Sequence, residues 1–306
     1  MSVVRRTERA GRQRCGNISG PMAGIDLHTH SNYSDGTFTP AQAVGVARDR
    51  GLDIIALTDH DTTEGLPEAF RAGAEAGIEV VPGVEFSTVH RGEGVHILCY
   101  YMDPEHADFR AELRRLQDDR YRRGERMVEK LQALGYPISF DRVREIARGG
   151  NIIRPHVAQA LVEAGVVPTA KEAFTEELIG SGGRAYVEKH ALRPLDALAL
   201  IHAAGGVCVL AHPGTFRETK PVPPELVDEL VGAGLDGIEA LHPEHTPEAE
   251  AHYVAVANRL GLLFTGASDC HGTRYEPVRM GSRTTPPEQF ERLRERAAEL
   301  RLGAAP

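Results

Sequence analysis

Two histidines, His28 and His30, end the first apolar segment of the chain, and Asp35 follows in a loop that Gly36 can turn. In a β-strand, residues two apart point to the same face and lie about 7 Å apart. The two imidazoles could therefore close on one metal ion where such a strand ends. The pair alone is a weak signal because the chain contains 14 histidines, so the interpretation depends on the other strand ends.

The same arrangement recurs along the chain. Six further apolar segments predict strands, at residues 53–57, 78–84, 95–101, 207–211, 237–241 and 262–267. Six of the seven segments place a histidine, aspartate or glutamate at or just beyond the C-terminal end, whereas 95–101 carries His96 at its start. Helical segments separate most of them, beginning with residues 40–50 after the N-cap candidate Thr39, and only a short loop at 87–94 separates the third strand from the fourth. This is the alternation of a parallel α/β barrel. Reactive residues of such barrels lie at the C-terminal ends of the strands.

These motifs, taken together and in order, resemble the PHP (polymerase and histidinol phosphatase) family of metal-dependent phosphoesterases. The similarity covers residues 25–272 and implies an α/β fold, a distorted seven-stranded (β/α) barrel with a trinuclear metal site. Within the family, the chain resembles the branch that dephosphorylates nucleoside 3′,5′-bisphosphates and trims short RNA from its 5′ end.

The resemblance also implies which residues bind metal. The first ion would be held by His28, His30, Glu85 and Asp269, the second by Glu85, His96 and His212, and the third by Asp35, His60 and His271. Two or three divalent ions per chain are expected, with manganese as the first choice and iron or zinc as alternatives, because this ligand chemistry does not discriminate among them. Asp35 stands where some family members have a histidine, which leaves the third position open.

Hydrolysis of a phosphate ester requires positive charge and a nucleophile at neutral pH. Bound metals lower the pKa of water to about 7, and two ions about 3.5–4 Å apart can clamp the attacking and leaving oxygens. The expected nucleophile is a hydroxide bridging the first two metals, which share Glu85 as a catalytic ligand. His271, if it is not fully committed to its metal, is the candidate acid for the leaving oxygen.

Other polar residues near the strand ends receive secondary assignments. Asp59 and Asp61 are expected to orient ligand imidazoles. Glu239, His242 and His245 could contact metal, substrate or only the protein interior.

Residues 104–186 interrupt the barrel pattern with charged sequence that predicts helices at 108–134, 141–148, 155–163 and 171–179. This segment is therefore expected to form an inserted small α-helical cap domain. The barrel would then comprise residues 22–103 and 187–306. Residues 1–21 are Arg-rich and poor in apolar residues, which predicts a disordered tail and makes Met22 an alternative start.

Arg154-Pro155-His156 in the cap resembles a substrate-binding motif of the same branch. Pro155 predicts a helix start, which places Arg154 beside a positive helix terminus that suits phosphate. Lys189 is a second candidate, and ordinary surface cations are the alternative for all three substrate-binding candidates. The arginines between positions 110 and 126 alternate with acids at helical spacing and are expected to form a solvated face.

Composition limits the partners. The formal net charge of −9 argues against broad adhesion to duplex DNA and favours a small anionic substrate. No apolar run is long enough for a membrane span. The four cysteines, Cys15, Cys99, Cys208 and Cys270, show no paired spacing, which is typical of reduced thiols in a cytoplasmic protein. The oligomeric state does not follow from the sequence.

We therefore predict a metal-dependent phosphatase that acts on nucleoside 3′,5′-bisphosphates, with 5′-to-3′ exonuclease activity on short RNA as an additional possibility. Histidinol-phosphate phosphatase is the alternative enzyme, disfavoured by Asp35 and by the cap motif. A non-catalytic, metal-stabilised module is the second alternative, and the complete set of ligands argues against it.

Overall fold

The structure, a computed structural model, describes residues 24–147, 150–188, 192–215 and 221–303. The strands are β1 Ile25–Thr29, β2 Ile54–Leu57, β3 Glu79–His90, β4 Glu93–Tyr100, β5 Val207–Leu210, β6 Gly237–Leu241 and β7 Leu263–Gly266. The helices are α1 Pro40–Asp49, α2 Leu66–Ala76, α3 Ala107–Ala133, α4 Phe140–Ile146, α5 Arg154–Glu163, α6 Pro194–Ala203, α7 Pro224–Gly232, α8 Pro247–Leu260 and α9 Pro287–Gly303. The predicted tail lies outside the described residues.

The seven strands form one sheet in sequence order, from β1 to β7. Thr29 at the end of β1 makes a parallel bridge to Cys270 just after β7, and the backbone N–H of His30 donates to the Cys270 carbonyl at 2.9 Å. The sheet therefore curls into a nearly closed barrel surrounded by helices, and the predicted seven-stranded barrel is confirmed.

The fourth strand runs against its neighbours. β4 pairs antiparallel with both β3 and β5, whereas the other neighbouring strands pair in parallel. The predicted loop at residues 87–94 is wrong, because β3 and β4 form a hairpin whose turn is Arg91-Gly92, both with positive φ. Since β4 runs backwards, its first residues lie at the same mouth as the C-terminal ends of the other strands. This explains why His96 stands at the start of its strand.

Side chains alternate along the strands between an apolar core on one face and the candidate site on the other. A large apolar cluster joins one face of β3 to β6 with α6, α7 and α8, and contains Val84, Phe86, Ile97, Cys99, Cys208, Leu210, Ile238 and Ala240. Successive strand residues point to opposite faces, so Glu85, His96 and Glu239 occupy the opposite face, towards the barrel interior. The packing of the helices thus sets the direction in which the polar side chains point.

The segment between β4 and β5 contains helices α3 to α5. The first half of α3, with Phe109, Leu113 and Leu116, packs in the barrel cluster. Its second half, with Met127 and Leu131, packs in a separate cluster with α4 and α5. We propose that residues 104–186 are an inserted cap domain joined to the barrel by α3. Within the described ranges, no helix is both long and apolar enough to cross a membrane.

A helix predicted at residues 171–179 is wrong. The structure has only a short 3-10 turn, Ala170–Ala173, and Phe174 leaves helical geometry with ψ of 57°. The carbonyl of Thr175 then accepts from the amides of Leu178 and Gly180, which closes a turn instead of a helix. Glycine-rich sequence after Ile179 favours such turns.

Candidate metal centre

Four buried side chains converge at the mouth of the barrel. The Nε2 atoms of His28 and His30 are 3.0 Å apart, and each lies 3.2 Å from Oε2 of Glu85. Oδ1 of Asp269 is 3.4 Å from the first nitrogen and 3.3 Å from the second. Ligands at about 2.0–2.1 Å from a tetrahedral ion are separated by about 3.3–3.4 Å. The donor set therefore fits one divalent metal ion.

The two oxygens of Glu85 face different groups of imidazoles. Oε2 belongs to the group just described, whereas Oε1 lies 2.7 Å from Nδ1 of His96 and 3.0 Å from Nε2 of His212. A carboxylate in this position can bridge two metal ions. The geometry thus supports the predicted role of Glu85, which comes from β3, between ligands from β4 and from the loop after β5.

A third group surrounds Asp35. Its Oδ2 lies 3.2 Å from Nε2 of His271, and its Oδ1 lies 3.7 Å from Nδ1 of His30 and 4.0 Å from Nε2 of His60. Donor atoms of these four residues could hold one ion. His60 also contacts the bridging carboxylate, because its Nδ1 lies 3.2 Å from Oε2 of Glu85. The structure brings all nine predicted ligands together, and their division among three ions remains our proposal.

The charges and pKa values of the side chains at this site favour the binding of cations. Burial lowers the pKa of His30, but hydrogen bonds to Asp269 and Glu85 outweigh burial and raise that pKa to about 10. For His60 burial dominates and lowers the pKa to about 3. Burial would raise the pKa of Glu85, yet the nearby imidazoles, His60 and His96 foremost, hold it well below its usual range. The carboxylate is therefore ionised, and a bound cation would replace the protons that the imidazoles otherwise hold.

Glu239, whose role the sequence left open, contacts two of the proposed ligands. One carboxylate oxygen lies 3.0 Å from Nδ1 of His28, and the other accepts from the backbone N–H of His212 at 2.8 Å. A carboxylate that binds the far nitrogen of a ligand imidazole fixes its tautomer and orientation. In the sequence, the signal for this role was the position of Glu239 on the inward-facing side of β6.

The two aspartates predicted to orient imidazoles have different partners. Asp59 accepts from the backbone N–H of Ser31 at 2.7 Å and from the Ser34 hydroxyl at 2.6 Å. Ser34 Oγ in turn lies 3.4 Å from Nδ1 of His30, so Asp59 contacts that ring through a serine. Asp61 accepts from Ser87 N at 3.0 Å and forms a buried ion pair with Arg120.

His242 and His245 have different surroundings. Nε2 of His242 lies 3.5 Å from Oδ2 of Asp269, which places this ring beside a proposed ligand. His245 lies between Ala240 and Gly214, with its Nδ1 2.8 Å from the first carbonyl and its Nε2 accepting from the second amide at 3.1 Å. These backbone contacts indicate a structural role for His245.

Three residues at the mouth adopt left-handed backbone geometry. Asp61, His212 and Asp269 have φ of 52°, 26° and 48°. Such conformations cost about 1–3 kcal/mol each and concentrate at functional sites. Here the hydrogen bond from His212 N to Glu239 helps to hold one of them.

Of the three residues predicted to bind substrate, the structure describes Arg154 and His156. Arg154 is the first residue of α5, and its guanidinium carbon lies 5.4 Å from the Phe174 ring centroid and 5.9 Å from that of Tyr186. His156 is buried, and burial followed by the charge of Arg274 lowers its pKa to about 4, so it is neutral at pH 7. Lys189 lies outside the described residues.

The prediction of a wholly solvated arginine face on α3 is wrong. Arg120 is buried, and Arg123 is half-buried with its guanidinium carbon 5.4 Å from the Tyr186 ring centroid. Burial and the charge of Arg154 lower the pKa of Arg123 to about 10. Both arginines continue the i+3/i+4 stripe of Leu116, a signal that the alternating charges obscured.

Comparisons with known proteins agree with this fold. A family model described as PHP domain matches residues 26–188. A 5′-3′ exoribonuclease from Haemophilus influenzae is 34% identical over 80% of this chain and 89% of its own length. A 3′,5′-nucleoside bisphosphate phosphatase from Chromobacterium violaceum is 35% identical over 82% of this chain and 88% of its own. A phosphoribosyl 1,2-cyclic phosphate 1,2-diphosphodiesterase from Eggerthella lenta is 33% identical over 81% and 94%.

Solved structures show the same architecture. A protein from Bifidobacterium adolescentis assigned as a metal-dependent phosphoesterase superposes with a TM-score of 0.83 and 34% identity, covering 90% of this chain and 97% of the other. Together with the site, this defines the class as metal-dependent phosphoesterase. The chain belongs to the PHP family.

Proposed function

We propose that this protein is a phosphatase that removes a phosphate from nucleoside 3′,5′-bisphosphates. The observation that carries the proposal is a cationic region on the cap, formed by residues that are not among the proposed metal ligands. Arg123 and Arg154 approach the same tyrosine ring, Tyr186, with guanidinium carbons 5.4 and 5.9 Å from its centroid. A substrate with two phosphates needs such a region, because one anion occupies the metal centre and the other requires its own cations.

The charges of this region favour an anion. Each guanidinium is permanently charged near neutral pH, and the charge of Arg154 contributes to the lowered pKa of Arg123. A phosphate placed between them would relieve this repulsion and could accept paired hydrogen bonds from a planar guanidinium. Phe174 and Tyr186 add aromatic surface beside the arginines. His156, neutral and buried, can donate a hydrogen bond but adds no charge.

The chain's own residues would prepare the reaction at the metal centre. When bound, divalent ions would supply positive charge and an ionised water. Glu85 would keep two ligand groups together through its two oxygens. Nδ1 of His271 lies 2.9 Å from the Asp269 carbonyl, and its Nε2 faces Asp35. Where this nitrogen is not committed to the third ion, it could hold a proton for the leaving oxygen. We propose divalent manganese as the native metal, with iron or zinc as alternatives.

Short RNA is a second candidate substrate. A 5′-phosphorylated oligonucleotide also presents two neighbouring anions, the terminal phosphate and the first phosphodiester. The named exoribonuclease from Haemophilus influenzae, at 34% identity, supports this candidate. Histidinol phosphate has only one phosphate and would leave the arginines of the cap unused.

A phosphate-release assay on manganese-loaded protein tests the proposal. The substrates are adenosine 3′,5′-bisphosphate, AMP, histidinol phosphate and a 5′-phosphorylated trinucleotide. We expect the bisphosphate to have a kcat/KM at least about tenfold above AMP, since one charge-assisted contact contributes that much. A preference for histidinol phosphate, or equal kcat/KM for all four, would contradict it.

A further inference from the structure

We infer that Arg120, on cap helix α3, is a positioning residue for His60, and that it acts through Ser87 and Asp61. The inference rests on the proposed metal centre, in which His60 is a ligand. It assigns to the cap a role in building the metal centre, in addition to its proposed contact with substrate.

Arg120 contacts both partners directly. Its Nη2 donates to Ser87 Oγ at 2.8 Å, and its Nε donates to Oδ2 of Asp61 at 2.9 Å. The backbone N–H of Ser87 donates to the other oxygen of Asp61 at 3.0 Å. Ser87 Oγ also lies 3.2 Å from Nδ1 of His60. The three residues therefore form a closed hydrogen-bonded ring beside the imidazole.

Burial makes this ring rigid. Asp61 is fully buried, and Arg120 is 9% exposed. A buried carboxylate that loses its cation is strongly unfavourable, so α3 stays in register with the loop that follows β2. Asn151 adds a second cap contact, because its Nδ2 donates to the His60 carbonyl at 2.7 Å. The cap thus contacts two neighbouring residues of this loop. Asn151 binds the His60 carbonyl, and Arg120 binds the Asp61 side chain.

The ring determines which nitrogen of His60 is available for metal. Two oxygens, Ser87 Oγ and Glu85 Oε2, each lie 3.2 Å from Nδ1. Arginine can only donate, so it uses one acceptor site of Ser87 Oγ and fixes the hydroxyl relative to the ring. A proton on Nδ1 then satisfies these oxygens and leaves the Nε2 lone pair free, facing Asp35 at 4.0 Å. Fixing the tautomer and orientation of a histidine ligand in this way affects how tightly it binds metal.

Metal binding measured without substrate tests the inference. The variants are Ser87→Ala, which keeps the Arg120–Asp61 pair, and Arg120→Met, with Arg122→Met as control because Arg122 is exposed on the same helix. Chelator-treated protein is titrated with Mn²⁺, and bound metal is counted per chain. We expect both test variants to bind the most weakly held Mn²⁺ ion about 10–100-fold less tightly than the wild type. The affinity for the more tightly held ions should be unchanged, and Arg122→Met should match the wild type.

A double variant separates positioning from general destabilisation. Arg120→Met/Asp61→Asn removes the unpaired buried charge but does not restore the contact to Ser87. We expect it to regain melting temperature relative to Arg120→Met while its Mn²⁺ affinity stays low. Wild-type Mn²⁺ affinity in Ser87→Ala, or full recovery of affinity in the double variant, would overturn the inference.

The kinetic signature is also specific. At limiting Mn²⁺, kcat should fall in Ser87→Ala and recover with excess Mn²⁺, while KM for the phosphate substrate stays constant. A change in KM alone would overturn the positioning role. If the protein does not hydrolyse bisphosphates, the proposed function fails, whereas the Mn²⁺ titrations still decide the role of Arg120.

Discussion

The carboxylate of Glu239 lies 3.0 Å from Nδ1 of His28, and the two residues are separated by 211 positions in the chain. The contact turns Nε2 of His28 towards Glu85, His30 and Asp269. Because Glu239 also holds the backbone of His212, it orients ligands from two of the proposed groups.

Glu239→Gln should therefore weaken metal binding without removing a ligand. The amide cannot serve both contacts with an acceptor oxygen, and its lost charge no longer favours donation from His28. We expect about a 10–100-fold loss of Mn²⁺ affinity, measured by titration of chelator-treated protein. Glu225→Gln, at an exposed position of α7, is the matched control. Unchanged Mn²⁺ affinity would show that the tautomer of His28 is fixed by other contacts.

Arg154→Ala should discriminate between substrates. If Arg154 binds the phosphate that is not cleaved, its loss costs about 1.5–3 kcal/mol, or about 10- to 150-fold in kcat/KM, for adenosine 3′,5′-bisphosphate. AMP and histidinol phosphate should lose little. The control is Arg144→Ala, which removes an exposed arginine from α4. Equal losses for AMP and the bisphosphate would mean that Arg154 serves the reacting phosphate or the fold.

Arg123→Met should separate substrate binding from stability. The guanidinium is half-buried near Arg154, so an apolar side chain of similar length removes a desolvated charge and a repulsion. We expect a melting temperature that is unchanged or higher, and a KM for the bisphosphate raised about tenfold. Arg122→Met, one position away on the exposed face, should change neither value. A clear fall in melting temperature with an unchanged KM would assign Arg123 to the fold.

The chelator-treated protein should become less stable as the pH rises. The carboxylates around His28, His30 and His212 raise the pKa of these imidazoles against the effect of burial, that of His30 to about 10. These imidazoles then bind more protons in the folded state than in the unfolded state between pH 6.5 and about 10, so the stability that they contribute is full below pH 6.5 and declines above it.

Thermal unfolding at pH 6.5, 8 and 9.5 measures this effect. Each kcal/mol of stability corresponds to about 2–4 °C in Tm for a domain of about 150–250 residues, so a fall of several degrees is expected without metal. Saturating Mn²⁺ should reduce or reverse the trend, because metal binding gains affinity as the imidazoles lose protons. A flat Tm in the chelator-treated protein would contradict the raised pKa values.

Much of the site could be predicted from the sequence because the ends of the strands can be recognised in it. Apolar runs that stop at His28-Thr29-His30 or at Ser268-Asp269 identify both a strand and the donors beyond it. In a barrel those ends meet at one mouth, and the family resemblance then implied which nine residues near them are ligands. The seven strands and most helices followed from the same periodicity and from caps such as Thr39, whose hydroxyl accepts from Gln42 N at the start of α1.

The rest was decided by tertiary structure. Spacing identifies the face of a helix or strand on which a residue lies, but not what packs against that face. Arg120 belongs to a charged helix by local pattern, and it becomes a buried partner of Asp61 because α3 packs against the loop that follows β2. Glu239 acquires its role because β6 places it opposite His28, and the direction of β4 depends on its pairing with β3 and β5. These contacts join residues far apart in the chain, and no local pattern encodes them.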